Sequence, residues 1–239
     1  MADLVLANAK LTRSLRVTGV RDDGYHLLDA EMVSLDLADE LLLDPAGDGL
    51  ELEDADGSVP VDDDNLVRRA LALVGRTAHV RLRKRIPAGA GLGGGSSDAA
   101  AVLRWAGCTD LGLAARLGAD VPFCLVGGRA RVRGIGEVVE PLEPVDLAFT
   151  LLTPPIHCST PAVYAAWDEM GGPTSDGPND LEPAALVVAP ELAAWRDRLH
   201  EATGQVPVLA GSGSTWFVEG AHPGPGHVVV RTVGAQPPS

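Results

Sequence analysis

The sequence predicts an α+β chain in two units: a mixed sheet with helices over residues 1–144, and a smaller α+β unit over residues 145–239. Three observations carry this expectation. Segments with the two-residue alternation of a strand interleave along the chain with segments of helical period. A glycine-rich stretch, Pro87-Ala-Gly-Ala-Gly-Leu-Gly-Gly-Gly-Ser-Ser-Asp-Ala-Ala-Ala101, lies where one period gives way to the other. After the hairpin-like Arg129–Pro141, Leu147–Leu152 opens a second series of strands and helices. With 239 residues the chain is long enough for one large core or two modest ones.

Residues 4–17 read as a strand, with Leu4, Leu6, Leu15 and Val17 apolar and Lys10 in the middle. Gly19–Gly24 supplies a turn, and a second strand region runs from Tyr25 to Leu43. Turns at Pro45–Gly49 and Asp54–Gly57 make this part an expected antiparallel meander. Asp62–Asn65 opens a helix to Val74, with Asp64 as its N-cap. Ala78–Ile86 alternates, Val80, Leu82 and Ile86 facing one way and His79, Arg81, Arg83 and Arg85 the other, as in a half-buried strand. Beyond the glycines, Ala99, Val102, Leu103 and Ala106 share one face of a helix that stops at Gly107. Thr109–Leu117 is a short helix, and Gly118–Cys124 leads into a strand. In the second unit, Thr160-Pro161 is a cap followed by a first-turn proline, starting a helix to Met170. Helices follow over 181–188 and 190–203, then strands over 206–210, 215–218 and 228–233. No internal repeat is present.

Strand, glycine loop and helix start form an arrangement that presents bare N–H groups to an anion, because the first turn of a helix has no internal acceptors. Glycines allow φ > 0 and close approach to phosphate oxygens, while Ser96 and Ser97 could cap the helix, bind phosphate or reach Mg²⁺. The stretch reads as a phosphate cradle. Gly89-Ala-Gly91-Leu-Gly-Gly94 also satisfies the dinucleotide pattern G-x-G-x-x-G. That fingerprint follows a strand buried on both faces, whereas the arginine-studded strand here is one-sided. No lysine follows the glycines, so the G-x-x-x-x-G-K-[ST] loop is absent. A flexible linker would not place Ser-Ser-Asp at the start of an amphipathic helix.

Composition narrows the partners. A net charge of −14 argues against a nucleic-acid or anionic-membrane surface. Three widely spaced cysteines without C-x-x-C, no signal-like start and no apolar run of membrane length point to a cytoplasmic protein without a zinc site. The six histidines show no ligand spacing. Of 19 basic residues, only Lys10 and Lys84 are lysines. A lysine surviving among arginines marks a place where a compact ammonium does what a broad guanidinium cannot.

The loop Pro87–Ser97 resembles the ATP-binding loop of the galactokinase, homoserine kinase, mevalonate kinase and phosphomevalonate kinase superfamily. Ala9-Lys10-Leu11, Gly24-Tyr25-His26-Leu27-Leu28, Leu117-Gly-Ala-Asp120-Val-Pro-Phe123 and Asn179-Asp-Leu-Glu182 follow in order, and Ala210-Gly-Ser-Gly-Ser-Thr215 is similar to the superfamily's third motif. Within it, the match is to the branch that phosphorylates a cytidine diphosphate-linked methylerythritol in non-mevalonate isoprenoid synthesis. The resemblance covers about residues 5–220 and implies a two-domain fold whose C-terminal domain is a reduced ferredoxin-like α+β unit.

It implies ATP and Mg²⁺ as cofactors, a small-molecule alcohol as substrate, and a monomer or weak homodimer. Lys10 and Asp120 would be the catalytic pair, Asp120 accepting or orienting the hydroxyl proton and Lys10 holding Asp120 ionised while stabilising developing negative charge. Pro87, Ala88, Gly89, Ala90, Gly91, Leu92, Gly93, Gly94, Gly95, Ser96 and Ser97 would bind ATP. Asn65 would stand on the adenine side, although capping its helix is an equally open role. Tyr25 and His26 would grip cytosine, with Tyr164 stacking opposite and Thr160 and Thr12 bonding the substrate. Turn-capping for Asp120 and a solvated strand position for Lys10 are the structural alternatives. Asn8 stands where the family has Pro, and Thr12 where it has Asn. Residues 75–78, 104–112 and 219–227 are shorter than in relatives, the last replacing a helix that would cover the second sheet. Another kinase of the superfamily, or a silent nucleotide-binding member, are the alternatives in function.

Overall fold

The computed structural model describes residues 1–53 and 62–236, so the turn expected at Asp54–Gly57 lies outside the described residues. In chain order the strands are β1 (Asp3–Val20), β2 (His26–Asp44), β3 (Gly49–Glu53), β4 (His79–Arg83), β5 (Arg129–Gly134), β6 (Val138–Pro141), β7 (Ala148–Leu152), β8 (Val208–Leu209), β9 (Trp216–Glu219) and β10 (His227–Val233). The helices are α1 (Leu66–Leu73), α2 (Gly94–Trp105), α3 (Leu111–Ala115), α4 (Val121–Val126), α5 (Thr160–Glu169), α6 (Glu182–Val188) and α7 (Leu192–Thr203).

The long antiparallel pair β1–β2 is the spine, in register from Asp3↔Leu43 to Val20↔His26. The other edge of β2 is shared by three strands: β5 along Leu28–Val33, β10 at Ser34 and Leu35, and β4 along Glu40–Asp44. From β10 the sheet continues through β7 and β9 to β8. The spine is not regular. Asn8 pairs with Ala38 but Lys10 with Ser34, so β2 bulges opposite Ala9. The Asn8 amide bridges the bulge to the Leu35 carbonyl at 2.6 Å. Bulges re-aim the residues beside them. Here the Lys10 N–H donates to the Leu92 carbonyl at 3.0 Å, tying the spine to the glycine loop.

Two clusters of buried apolar side chains form the core. The larger joins the N-terminal sheet to α1, α2 and α4 and runs on into α5–α7 and Trp216. The smaller gathers Leu11, Val33, Leu35, Ala90, Leu92, Phe149, Phe217 and Val230, where the sheet passes from β2 to β10 and β7. The short connector after β9 is tied to β7 at Thr150. The Thr150 hydroxyl donates to the Gly220 carbonyl at 2.8 Å and accepts from the His222 N–H at 2.9 Å.

Several local expectations are corrected. The segment after Asp120 is helix α4, not a strand: a short apolar run has no period of its own, and Pro122 suits a first helical turn. β3 runs parallel to β4, with α1 as the crossover, so this part is not a pure antiparallel meander. α1 is capped by Asn65, whose carbonyl oxygen accepts from the Val67 N–H at 2.8 Å, while Asp64 is exposed. The N-cap position of α5 is Ser159, and the Thr160 hydroxyl pairs instead with Ser212 at 2.7 Å. Neither Ser96 nor Ser97 caps α2, whose N-cap is Gly93 at φ 70°. The segment 109–117 shortens to α3, capped by the Asp110 carboxylate on the N–H groups of Gly112 and Leu113.

Candidate active site

The glycine loop is anchored through its alternate residues. Ala90 and Leu92 are buried, with the Ala90 carbonyl accepting from the Thr215 N–H at 3.2 Å and the Leu92 carbonyl from Lys10. The glycines alternating with them, Gly89, Gly91 and Gly93, all have left-handed φ, at 67°, 77° and 70°. A Cβ on Gly91 would stand 2.3 Å from the Ala210 carbonyl oxygen and 2.7 Å from that of Gly213. The loop thus packs backbone to backbone against residues 210–215, a fit only glycine permits. Pro87, Ala88 and Gly89 are exposed; Gly93, Gly94 and Ser96 are half-buried, and Gly95 is exposed. The N–H groups of Gly94, Gly95 and Ser96 open α2 and can receive an anion. Ser97 faces the other way. Its buried hydroxyl donates to the Asn8 carbonyl at 2.7 Å.

Lys10 and Asp120 meet beside this loop. The Lys10 ammonium lies 3.2 Å from Asp120 Oδ2 and donates to the Thr12 hydroxyl at 3.1 Å. Asp120 stands at the N-cap position of α4 but makes no capping hydrogen bond, so its carboxylate is turned to Lys10 and about one-third open to solvent. A Cβ on Gly93 would fall 2.7 Å from Lys10 Cγ, which places the lysine stem directly against the loop. Lys10 is buried, not a solvated strand residue. Thr12 is also buried, and its hydroxyl serves Lys10. Behind α4, buried Arg104 donates to the Cys124 carbonyl at 2.5 Å and to the Leu6 carbonyl at 3.2 Å, fixing the helix to β1. Burial, with the charge of Asp120 second, pushes the Cys124 thiol up to about 12, leaving it inert.

The second lysine closes the base of the loop. Lys84 bridges Asp39 on β2, at 2.5 Å, and Asp98 on α2, at 2.7 Å. Asp39 is fully buried and also accepts from the N–H groups of Arg85 at 2.5 Å and Ile86 at 2.8 Å. One ammonium therefore ties the residues entering the loop to the helix leaving it. Burial lowers the Lys84 pKa, but the charges of Asp98 and Asp39 outweigh it and hold it above the ordinary lysine value. Burial is also the largest effect on Asp98, raising its carboxyl to about 7 against the pull of Lys84, and its Oδ1 has no partner. The scarcity of lysine flagged this residue, but nothing local in the sequence pointed to its two acids.

The remaining expected residues gather at α5. His26 opens β2 and packs its ring on Tyr164, centroids 4.5 Å apart, with the edge of Trp167 at 5.5 Å. Its Nε2 lies 2.8 Å from Asp168 Oδ1. Burial first, and the charge of Asp120 second, raise the Tyr164 phenol above its ordinary pKa. Tyr25 is exposed beside His26. Thr160 reaches the 210–215 loop through Ser212. Asn179, expected only as part of a motif, secures that loop by donating to the carbonyls of Leu209 at 2.8 Å and Gly211 at 2.7 Å. Asn65 does not join this group. It caps α1, whose Leu66 would lie 3.4 Å from a Cβ on Gly95.

Comparison with known proteins identifies the family. The family described as the GHMP kinases N terminal domain matches residues 65–128. A Paracoccus denitrificans protein named 4-diphosphocytidyl-2-C-methyl-D-erythritol kinase is 40% identical over 232 residues, 88% of this chain and 84% of its own. A crystal structure of 4-(cytidine 5'-diphospho)-2C-methyl-D-erythritol kinase superposes with a TM-score of 0.71 at 34% identity, covering 90% of this chain and 89% of that one. Homoserine kinase from Cytophaga hutchinsonii shares the fold, with a TM-score of 0.62 at 18% identity over 99% of this chain and 96% of its own. With its loop, lysine–aspartate pair and sheet arranged as described, the chain belongs to the GHMP kinases, and among them to the 4-diphosphocytidyl-2-C-methyl-D-erythritol kinase family.

Proposed function

We propose that the chain transfers the γ-phosphoryl group of ATP to the 2-hydroxyl of 4-diphosphocytidyl-2-C-methyl-D-erythritol, in the non-mevalonate route to isoprenoids. The observation that carries this reading is the Lys10–Asp120 pair, 3.2 Å apart, with the lysine stem against Gly93 of the glycine loop. As in any kinase of the family, ATP is the donor. Its phosphates rest on the N–H groups of Gly94, Gly95 and Ser96 and on the exposed backbone of residues 87–93, with Asn65 and the start of α1 bordering the adenine. Asp120 accepts the proton of the attacking hydroxyl, and Lys10 stabilises charge developing on the transferred group. Tyr25 and Tyr164 stack on the cytosine, His26 bonds to it, and Thr160 lies at the sugar side. Thr12 acts through Lys10, which it orients.

Mg²⁺ supplies neutralising charge between the phosphates when bound. Among the described residues no group of three or more His, Cys, Asp or Glu could hold a metal, which suits an ion carried mainly by phosphate and water. The Ser96 hydroxyl, unused by other described residues, and the open side of Asp120 are the protein groups that would hold it. Residues 1–144 would form the ATP-side domain and 145–239 the substrate-side domain. The protein would act as a monomer or weak homodimer. Free Cys108, Cys124 and Cys158 are in keeping with the cytoplasm. No described helix is long and apolar enough to cross a membrane.

ATP turnover with the cytidine substrate, beside mevalonate and homoserine, tests the reading. Turnover of the cytidine substrate alone is expected. Turnover of another alcohol would make the chain a different kinase of the superfamily, and none at all a silent member. Tyr25→Ala and His26→Ala should each raise KM for the cytidine substrate about tenfold, since base stacking and bonding are worth about 1–3 kcal/mol. ATP affinity should hold; equal damage to it would mean that the two nucleotides are placed the wrong way round. Gly91→Ala should raise KM for ATP about tenfold, because the added Cβ meets backbone that cannot step aside. Titration calorimetry with unchanged ATP affinity would remove the loop from the site.

A further inference from the structure

We infer that Asp168 is a specificity-determining residue: it fixes the hydrogen of His26 on Nε2 and leaves Nδ1 as a bare acceptor, selecting a pyrimidine that offers an exocyclic amine. The inference deepens the proposed function and rests on the reading of His26 as the pyrimidine-facing residue. Three side chains of α5 immobilise His26. Tyr164 covers one face, Trp167 meets the ring edge-on, and Asp168 Oδ1 lies 2.8 Å from Nε2. The residues recur at the three- and four-residue spacing that puts them on one side of a helix. Only 11% of the His26 side chain remains exposed, and no described residue bonds to Nδ1.

For the neutral ring the chemistry has one outcome. A carboxylate only accepts, so a hydrogen bond to Asp168 requires the hydrogen on Nε2. In the neutral imidazole the other nitrogen, Nδ1, must present a lone pair. The N4 amine of cytosine donates to such a lone pair. Uracil carries the O4 carbonyl at the same position and would set two lone pairs against each other. A site built to pair with a donor discriminates strongly against an analogue that lacks it. Asp168 itself is half exposed and need not touch the ligand, so it acts through His26.

The test compares wild type with Asp168→Ala and Asp168→Asn, using the cytidine substrate and its uridine counterpart. Wild type should favour the cytidine compound at least about tenfold in kcat/KM. Asp168→Ala should lose most of that preference, chiefly through KM, with KM for ATP held. Asp168→Asn, whose amide oxygen can still accept from Nε2–H, should recover part of the preference. Two-bond ¹H–¹⁵N spectra of the free protein report the tautomer independently: hydrogen on Nε2 in wild type, and a mixture in Asp168→Ala. Wild type that turns over neither pyrimidine compound would overturn the proposed function itself. Wild type that uses the cytidine compound, with a preference unchanged in Asp168→Ala or with a hydrogen on Nδ1, would overturn this inference alone.

Discussion

Asp120→Asn should lower kcat by about 10²–10⁴-fold while ATP still binds, the range over which a positioned base contributes. The substitution keeps the shape of the side chain and removes the charge that faces Lys10 at 3.2 Å. Since Asp120 makes no capping hydrogen bond to α4, the helix start should survive the change. Lys10→Arg should also be impaired. The ammonium is buried, bonded to Thr12 and Asp120, and its stem lies against Gly93, where a planar fork cannot take its place. If the two residues act as a unit on one proton and one phosphoryl group, the double variant should lose much less than the product of the single losses. Single-turnover phosphoryl transfer measures all three. Strictly multiplicative losses, or an active Asp120→Asn, would sink the paired mechanism.

Lys84→Met should destabilise the fold by about 3–5 kcal/mol, as breaking a buried ion pair from one side does. Methionine fills similar space but leaves Asp39 and Asp98 facing each other without a cation. Asp39 retains its two backbone donors, whereas Asp98 already has an unpartnered oxygen and would lose its bond to Lys84. Asp98 is therefore where the cost falls. Lys84→Met combined with Asp98→Leu removes that orphaned acid and should recover part of the loss. Urea unfolding of the two variants and wild type decides it. A loss under about 1 kcal/mol for the single change would mean that the triad does not hold the ends of the loop.

Local chemistry in the sequence determined much of this protein. The switch from strand to helix period on either side of five glycines located the phosphate-type loop, since alternation, helical period and left-handed φ are properties of a few neighbouring residues. Lysine scarcity picked out both residues later found as buried ammonium groups, and the order of motifs carried the family. What a residue bonds to across the chain was not legible in this way. Asp120 might equally have capped a turn, and only folding set it against Lys10, 110 positions away. Ser97, a ligand candidate by position, turned inward to Asn8, and Asn65 turned its carbonyl to its own helix. Asp168, 142 positions from His26, carries no pattern of its own. Even the run after Asp120 became a helix because burial against the core, not an intrinsic period, decided its form. Periodicity and turn chemistry act within a few residues, whereas a bulge that re-aims Lys10, or an acid that holds a histidine, exists only once distant segments share one packed interior.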